Sequence, residues 1–132
     1  NVHLAPETAR LLMAAATGRL VLVSDAIEAA GLGDGTYRLG DRVVHVKGPV
    51  ARLGDGTLAG SVLAMDKAVR NLVEHGATVE VALDAATRVP ARLIGRDDVG
   101  SIRVGGAADV VVLDDGLEVA RTLVGGRELH AA

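Results

Sequence analysis

The run Leu20-Val21-Leu22-Val23 is apolar at every position and stops at Ser24-Asp25. A strand with one wet face alternates apolar and polar residues. A run without alternation predicts a strand covered on both faces, the condition of parallel sheets and barrels. The residue just past the carboxyl end of such a strand points to where α/β proteins build their sites. Asp25 is therefore the first candidate for chemistry. An aspartate after a strand also caps a following helix, and Asp25 to Gly31 (DAIEAAG) would serve as one, so both readings of Asp25 stand.

Composition narrows the function classes. The 132 residues suit one ordinary domain, and 14 Lys plus Arg face 17 Asp plus Glu, for a net charge of -3. No basic run and only one aromatic residue, Tyr37, are present, whereas nucleic-acid binding calls for a basic track and stacking rings. Nucleic acid is set aside as a partner. The absence of cysteine removes disulfides and thiolate metal sites. No apolar stretch approaches the roughly 20 residues of a membrane span, and no signal-peptide pattern stands at the front. The expected setting is cytoplasmic, with a core of small aliphatic side chains.

Helix signals mark Ala5 to Thr17, with Pro6 and Glu7 in the first turn and Gly18 as terminator. Between Gly31 and Thr57 short β-like pieces such as Arg42 to Val46 are separated by glycine turns. Val62, Met65, Val69, Leu72 and Val73 recur at helical spacing behind Ser61, a plausible N-cap, and Gly76 closes that helix. A further helix is expected over Val79 to Thr87, ending before Pro90, with PARLIG as a turn. From Gly100 the chain becomes β-rich, and Gly125-Gly126 reads as a tight hairpin.

Two glycine motifs and four histidines carry the remaining options. GLGDGT (31–36) feeds a β-like segment rather than a helix, which makes it a turn and not a phosphate loop. GTLAGS (56–61) does feed a helix. Its Gly60 allows close backbone approach to a ligand, with plain helix capping as the alternative. His45 lies on one face of a strand, His75 in the last turn of a helix and His130 in the tail. No H-x-H or HExxH pattern occurs, so the residues alone define no metal site. His3 stands in the loop before the first helix. From the residues alone, the reading is an α/β domain with a site near Asp25.

VLVSDA, GTLAGSVLAMDKAVRNLVEHG, TRVPARLIG and GSIRVGGAADVVVLD together resemble the C-terminal portion of the N-acetylglucosamine-6-phosphate deacetylase family, in the amidohydrolase superfamily. The leading NVHLAPE resembles that family's histidine-bearing segment, and His3 and Asp25 stand 22 positions apart, as the family pattern expects. GTLAGS running into MDKAVRNLV is specific to the deacetylases, whereas Gly100 to Asp109 (G-x-I-x-x-G-x-x-A-D) is shared across amidohydrolases.

The resemblance implies an α/β fold: the C-terminal part of an amidohydrolase (β/α)8 barrel in residues 1–97, with a β-rich loop at 31–57. Strands of a small β-sandwich would follow in 98–132. Leu20 to Val23 would be the eighth barrel strand. A complete barrel takes roughly 250 residues, so this chain would hold only its end and be inactive alone. The implied reaction is removal of acetate from N-acetylglucosamine 6-phosphate, aided by a divalent metal, zinc or iron. The implied partner is thus a small-molecule amino-sugar phosphate, and the parent enzyme would be a homodimer. Asp25 would move the proton, His3 would contact substrate near the phosphate, and Leu58, Ala59 and Gly60 would form the substrate loop. The family's metal ligands and its phosphate-binding arginine belong to segments before those seen here. The alternatives are another amidohydrolase acting on a different amide or ring, and a non-catalytic interaction domain.

Overall fold

The computed structural model describes residues 2–131, with side chains through residue 129; Asn1, Ala132 and the His130 side chain lie outside the described residues. Its elements follow the order α, three strands, three helices, three strands. Helix α1 (Pro6–Ala15) begins on its proline, whose missing N–H costs nothing in a first turn.

The glycine turn at 31–34 leads into strand β1 (Gly35–Leu39), which pairs antiparallel with β2 (Arg42–Lys47), and β2 with β3 (Val50–Leu53). Along β2, Val44 and Val46 are buried while Val43, His45 and Lys47 face outward, the period-2 alternation of a half-covered sheet. Asp34 Oδ1 accepts the Gly48 N–H at 2.7 Å and ties the entering turn to the second hairpin.

Helix α2 (Met65–Glu74) buries Ala68, Val69 and Leu72 and ends at His75 and Gly76. Gly76 takes a φ of 105° that other residues resist, and Ala77 N–H reaches back to the Leu72 carbonyl at 3.1 Å. The helix starts three residues later than the apolar spacing suggested, because Val62, Leu63 and Ala64 lie outside it. Ser61 is not its cap: the N-cap is Ala64, without a side-chain hydrogen bond.

Helix α3 (Val79–Ala86) is capped by Thr78, whose hydroxyl accepts the Val81 N–H. The expected PARLIG turn is instead helix α4 (Arg88–Leu93). The chain breaks at Thr87, with φ -129° and ψ -82°, and a new helix begins. Pro90 then sits in a first turn, where it is tolerated.

The tail forms a second antiparallel sheet of β4 (Val110–Leu113), β5 (Val119–Val124) and β6 (Arg127–Ala131), in that order. Gly125-Gly126 makes the β5–β6 hairpin, as its sequence suggested. The Ala108-Asp109 pair fastens that hairpin: Asp109 Oδ1 accepts the Gly125 N–H at 2.7 Å, and the Ala108 carbonyl accepts the Gly126 N–H at 2.9 Å.

Leu20 to Val23 departs from expectation. It is extended but forms no strand; Leu22 N–H bonds the Ala85 carbonyl at 2.8 Å, and a lone parallel bridge joins Ala26 to Ser61. Parallel partners come from distant stretches of chain, and the described residues supply one such contact only. The DAIEAAG segment likewise turns rather than coiling into a helix.

Two cores result. One holds Val44, Val46, Ala51, Ala59 and Ala29, with Ile27 and Val62 against it; the other holds Val69, Leu72, Ala82 and Ala85, with Leu20 and Leu22 against it. Among the described residues, seven of the twelve buried hydrophobic ones are alanines. The core is therefore built of small aliphatic groups, as composition suggested.

Candidate active site

Asp25 lies at the seam between these cores. Leu20 and Leu22 lean on the helical cluster, Ile27 leans on the sheet cluster, and Asp25 stands exposed between them. Its backbone is left-handed, at φ 48°, a region that aspartate enters more readily than most residues. A turn of the chain there ends the extended run and lets the carboxylate project from its end.

The segment from Gly60 to Leu63 closes over this corner from the other side. Ser61 N–H donates to the Asp25 carbonyl at 2.9 Å, and Ile27 N–H donates to the Ser61 carbonyl at 2.9 Å. These two bonds form the parallel bridge on either side of Ala26. The buried Ser61 hydroxyl donates to the Ser24 carbonyl at 2.5 Å and accepts the Leu63 N–H at 2.9 Å. Gly60, at φ 63°, passes so close that a Cβ there would lie 2.7 Å from Ile27 Cγ2, 3.0 Å from the Asp25 carbonyl oxygen and 3.6 Å from Asp25 Oδ2. The missing side chain thus brings bare backbone up to a carboxylate.

The structure brings Asp25 and Gly60 together, 35 residues apart in sequence. Leu58 is half-buried and bridges Arg52, and Ala59 is buried in the sheet core with its N–H on the Ala51 carbonyl at 3.0 Å. Both belong to the stem that carries Gly60. His3 is exposed ahead of α1, and among the described residues no hydrogen bond or ion pair joins it to Asp25. His45 is an exposed strand residue whose Nδ1 lies 3.2 Å from Thr36 Oγ1. The features that the sequence did not yield are the Ser61–Ser24 contact and the left-handed Asp25. Serine after a glycine ahead of a helical pattern signals capping first.

Hydrogen bonds from Arg96, at 2.6 and 2.5 Å, hold the exposed Asp98 carboxyl at about 2. The Thr57 N–H draws Asp55 below its usual value in the turn ahead of Leu58. A cavity of about 170 Å³ opens at the far end of the Leu20 run, lined by Gly18, Leu20, Asp84, Arg88 and Arg92 among others, and does not include Asp25. Its charges are engaged: Arg88 pairs with Asp84, and Arg92 donates to the Gly18 carbonyl.

A carboxylate without an ion pair among the described residues, on left-handed backbone beside a bare glycine, suits proton transfer with a bound ligand. It does not suit a resident divalent ion on its own. Among the described residues no three His, Cys, Asp or Glu side chains gather to hold one.

The amidohydrolase family model matches residues 1–129, and the chain belongs to that family. It is 43% identical over 127 residues to the N-acetylgalactosamine-6-phosphate deacetylase of Escherichia coli O157:H7, covering 95% of this chain and 34% of that protein. Among solved structures, the N-acetylglucosamine-6-phosphate deacetylase of Thermotoga maritima superposes with a TM-score of 0.91 at 41% identity, over 99% of this chain and 37% of that one. The Mycobacterium smegmatis N-acetyl-D-glucosamine-6-phosphate deacetylase, in a mutant form bound to N-acetyl-D-glucosamine 6-phosphate, gives 0.88 at 35% identity, over 96% of this chain and 35% of that one. This chain spans about a third of the length of these proteins, and 76% of a shorter relative from E. coli K12.

Proposed function

We propose that this chain supplies the carboxyl-terminal third of a metal-dependent deacetylase that converts N-acetylglucosamine 6-phosphate and water into glucosamine 6-phosphate and acetate. The observation that carries this reading is the exposed Asp25 carboxylate held against Gly60 of GTLAGS. In support, structures of that deacetylase superpose along nearly all of this chain. Residues 1–97 act as the end of its barrel and 98–132 as strands of its small β domain. The change from helix to sheet after α4 agrees with that division. A phosphate ester made in the cytoplasm does not cross bilayers, which supports a cytoplasmic setting for the reaction.

Asp25 is the proton carrier. As water attacks the acetamide carbonyl carbon, the carboxylate accepts its proton; as the C–N bond breaks, the carboxyl returns a proton to the departing amine. No net proton is gained or lost by Asp25 in the cycle. A divalent ion, which residues outside this chain would hold, would supply carbonyl polarisation and a more acidic water when bound. Leu58, Ala59 and Gly60 border the sugar, with Ala59 seated on Ala51. His3 reaches the phosphate end of the substrate once the remaining segments are in place.

A second reading, the N-acetylgalactosamine epimer as substrate, is favoured by the 43% identity to the E. coli O157:H7 relative. A panel on the enzyme carrying this segment separates them. Acetate release is expected to be fastest from N-acetylglucosamine 6-phosphate and at least 100-fold slower from unphosphorylated N-acetylglucosamine. Preference for the galactosamine phosphate would install the second reading, and no acetate from any of the three would overturn both.

A further inference from the structure

Asp25 occupies a backbone conformation that is costly for a residue bearing a side chain, so something must hold it there. The neighbouring residues show what does. Ser61 meets the corner with three groups: its N–H on the Asp25 carbonyl, its carbonyl on the Ile27 N–H, and its hydroxyl on the Ser24 carbonyl. The carbonyls of two successive residues, 24 and 25, are thereby fixed from one side by a single buried residue. The hydroxyl is itself pinned by the Leu63 N–H, so it cannot rotate away without leaving a part-buried donor unpaired. Among the described residues none donates a hydrogen bond to the Asp25 carboxylate, so its aim depends on the backbone beneath it.

From this geometry we infer that Ser61 is the positioning residue for Asp25. Its hydroxyl locks the Ser24-Asp25 peptide so that the carboxylate emerges over Gly60. The inference rests on the deacetylase reading above and adds to it a residue that does not touch the reacting atoms. A side chain that acts only through the direction of Asp25 affects the chemical step more than substrate binding. A side chain needed only for folding would lower the amount of active enzyme without altering the constants of the remainder.

The test uses the whole enzyme with Ser61→Ala, Ser61→Cys and, separately, Asp25→Asn. For active-site-titrated Ser61→Ala, kcat on N-acetylglucosamine 6-phosphate should fall at least 10-fold, with KM within threefold of the parent. Ser61→Cys keeps the side-chain shape but weakens the hydrogen bond, and it keeps the measurement open should the alanine variant not fold; its kcat should fall at least fivefold. Parent-like kcat in either folded variant overturns the assignment, as does a loss carried by KM alone. If Asp25→Asn abolishes turnover while both Ser61 variants stay at parent kcat, only the Ser61 assignment fails. If Asp25→Asn keeps turnover, the proton role of Asp25 fails, and the assignment of Ser61 with it.

Discussion

At the scale of single residues, the site depends on what Gly60 lacks. A methyl at that position would sit 2.7 Å from Ile27 Cγ2 and 3.0 Å from a backbone oxygen, on a backbone already at φ 63°. The isoleucine tip can shift, but the Asp25 carbonyl is fixed by Ser61 and cannot. Gly60→Ala should therefore cost about 1–3 kcal/mol of stability and lower turnover at least 10-fold. Thermal melting and acetate release on the same preparation check both. The sequence offered Gly60 as a close-approach glycine beside plain helix capping, because a missing side chain ahead of a helix suits both. It did not make Ser61 legible. A hydroxyl just before an apolar-periodic stretch signals a cap, and nothing local reveals that its partner is the Ser24 carbonyl, 37 residues away.

At the scale of elements, Arg70 links the helical layer to the tail sheet. Its Nη1 lies 2.9 Å from Asp66 Oδ2, one turn back on α2, and donates to the Leu117 carbonyl at 2.7 Å. Leu117, at φ 60° in the turn between β4 and β5, packs against the α2–α3 core. Removing the guanidinium would leave Asp66, whose side chain is only 21% exposed, without its counter-charge. Arg70→Ala should cost about 2 kcal/mol and raise amide exchange in 114–119 before it raises exchange in β1–β3; uniform exchange behaviour would contradict this link. The elements that sequence reading captured are those with local causes: the β1–β3 pieces between glycines, the Gly76 stop, and the Gly125-Gly126 hairpin. Those it misjudged turn on distant chain neighbours in one case and on position within a helix in the other. Leu20 to Val23 reads as a strand only because its composition anticipates neighbours on both sides, and the described residues provide a single bridge beyond it. The α3 helix does end before Pro90, but PARLIG reads as a turn because proline stops a helix from within. At a first turn it is equally at home, and α4 starts just before it.

At the scale of the whole molecule, the chain exposes more surface than its mass warrants. It presents 8758 Å², against about 6500 Å² for a compact monomer of 13.4 kDa. The excess is partly apolar: Val23, Leu93, Ile94, Ile102 and Val104 are each at least 70% exposed. Such surface calls for cover. These 132 residues produced alone should bind a hydrophobic dye and elute larger than a monomer, and a sharply melting monomer that ignores the dye would instead favour a self-standing interaction domain. The central claim, that Asp25 moves the proton in a deacetylation completed by other segments, is tested most directly by acetate release from N-acetylglucosamine 6-phosphate. The assay compares the whole enzyme with its Asp25→Asn variant at equal metal content. The expected result is a fall in kcat of at least 1000-fold, in line with the loss of a general base and acid together. Turnover within tenfold of the parent would contradict it.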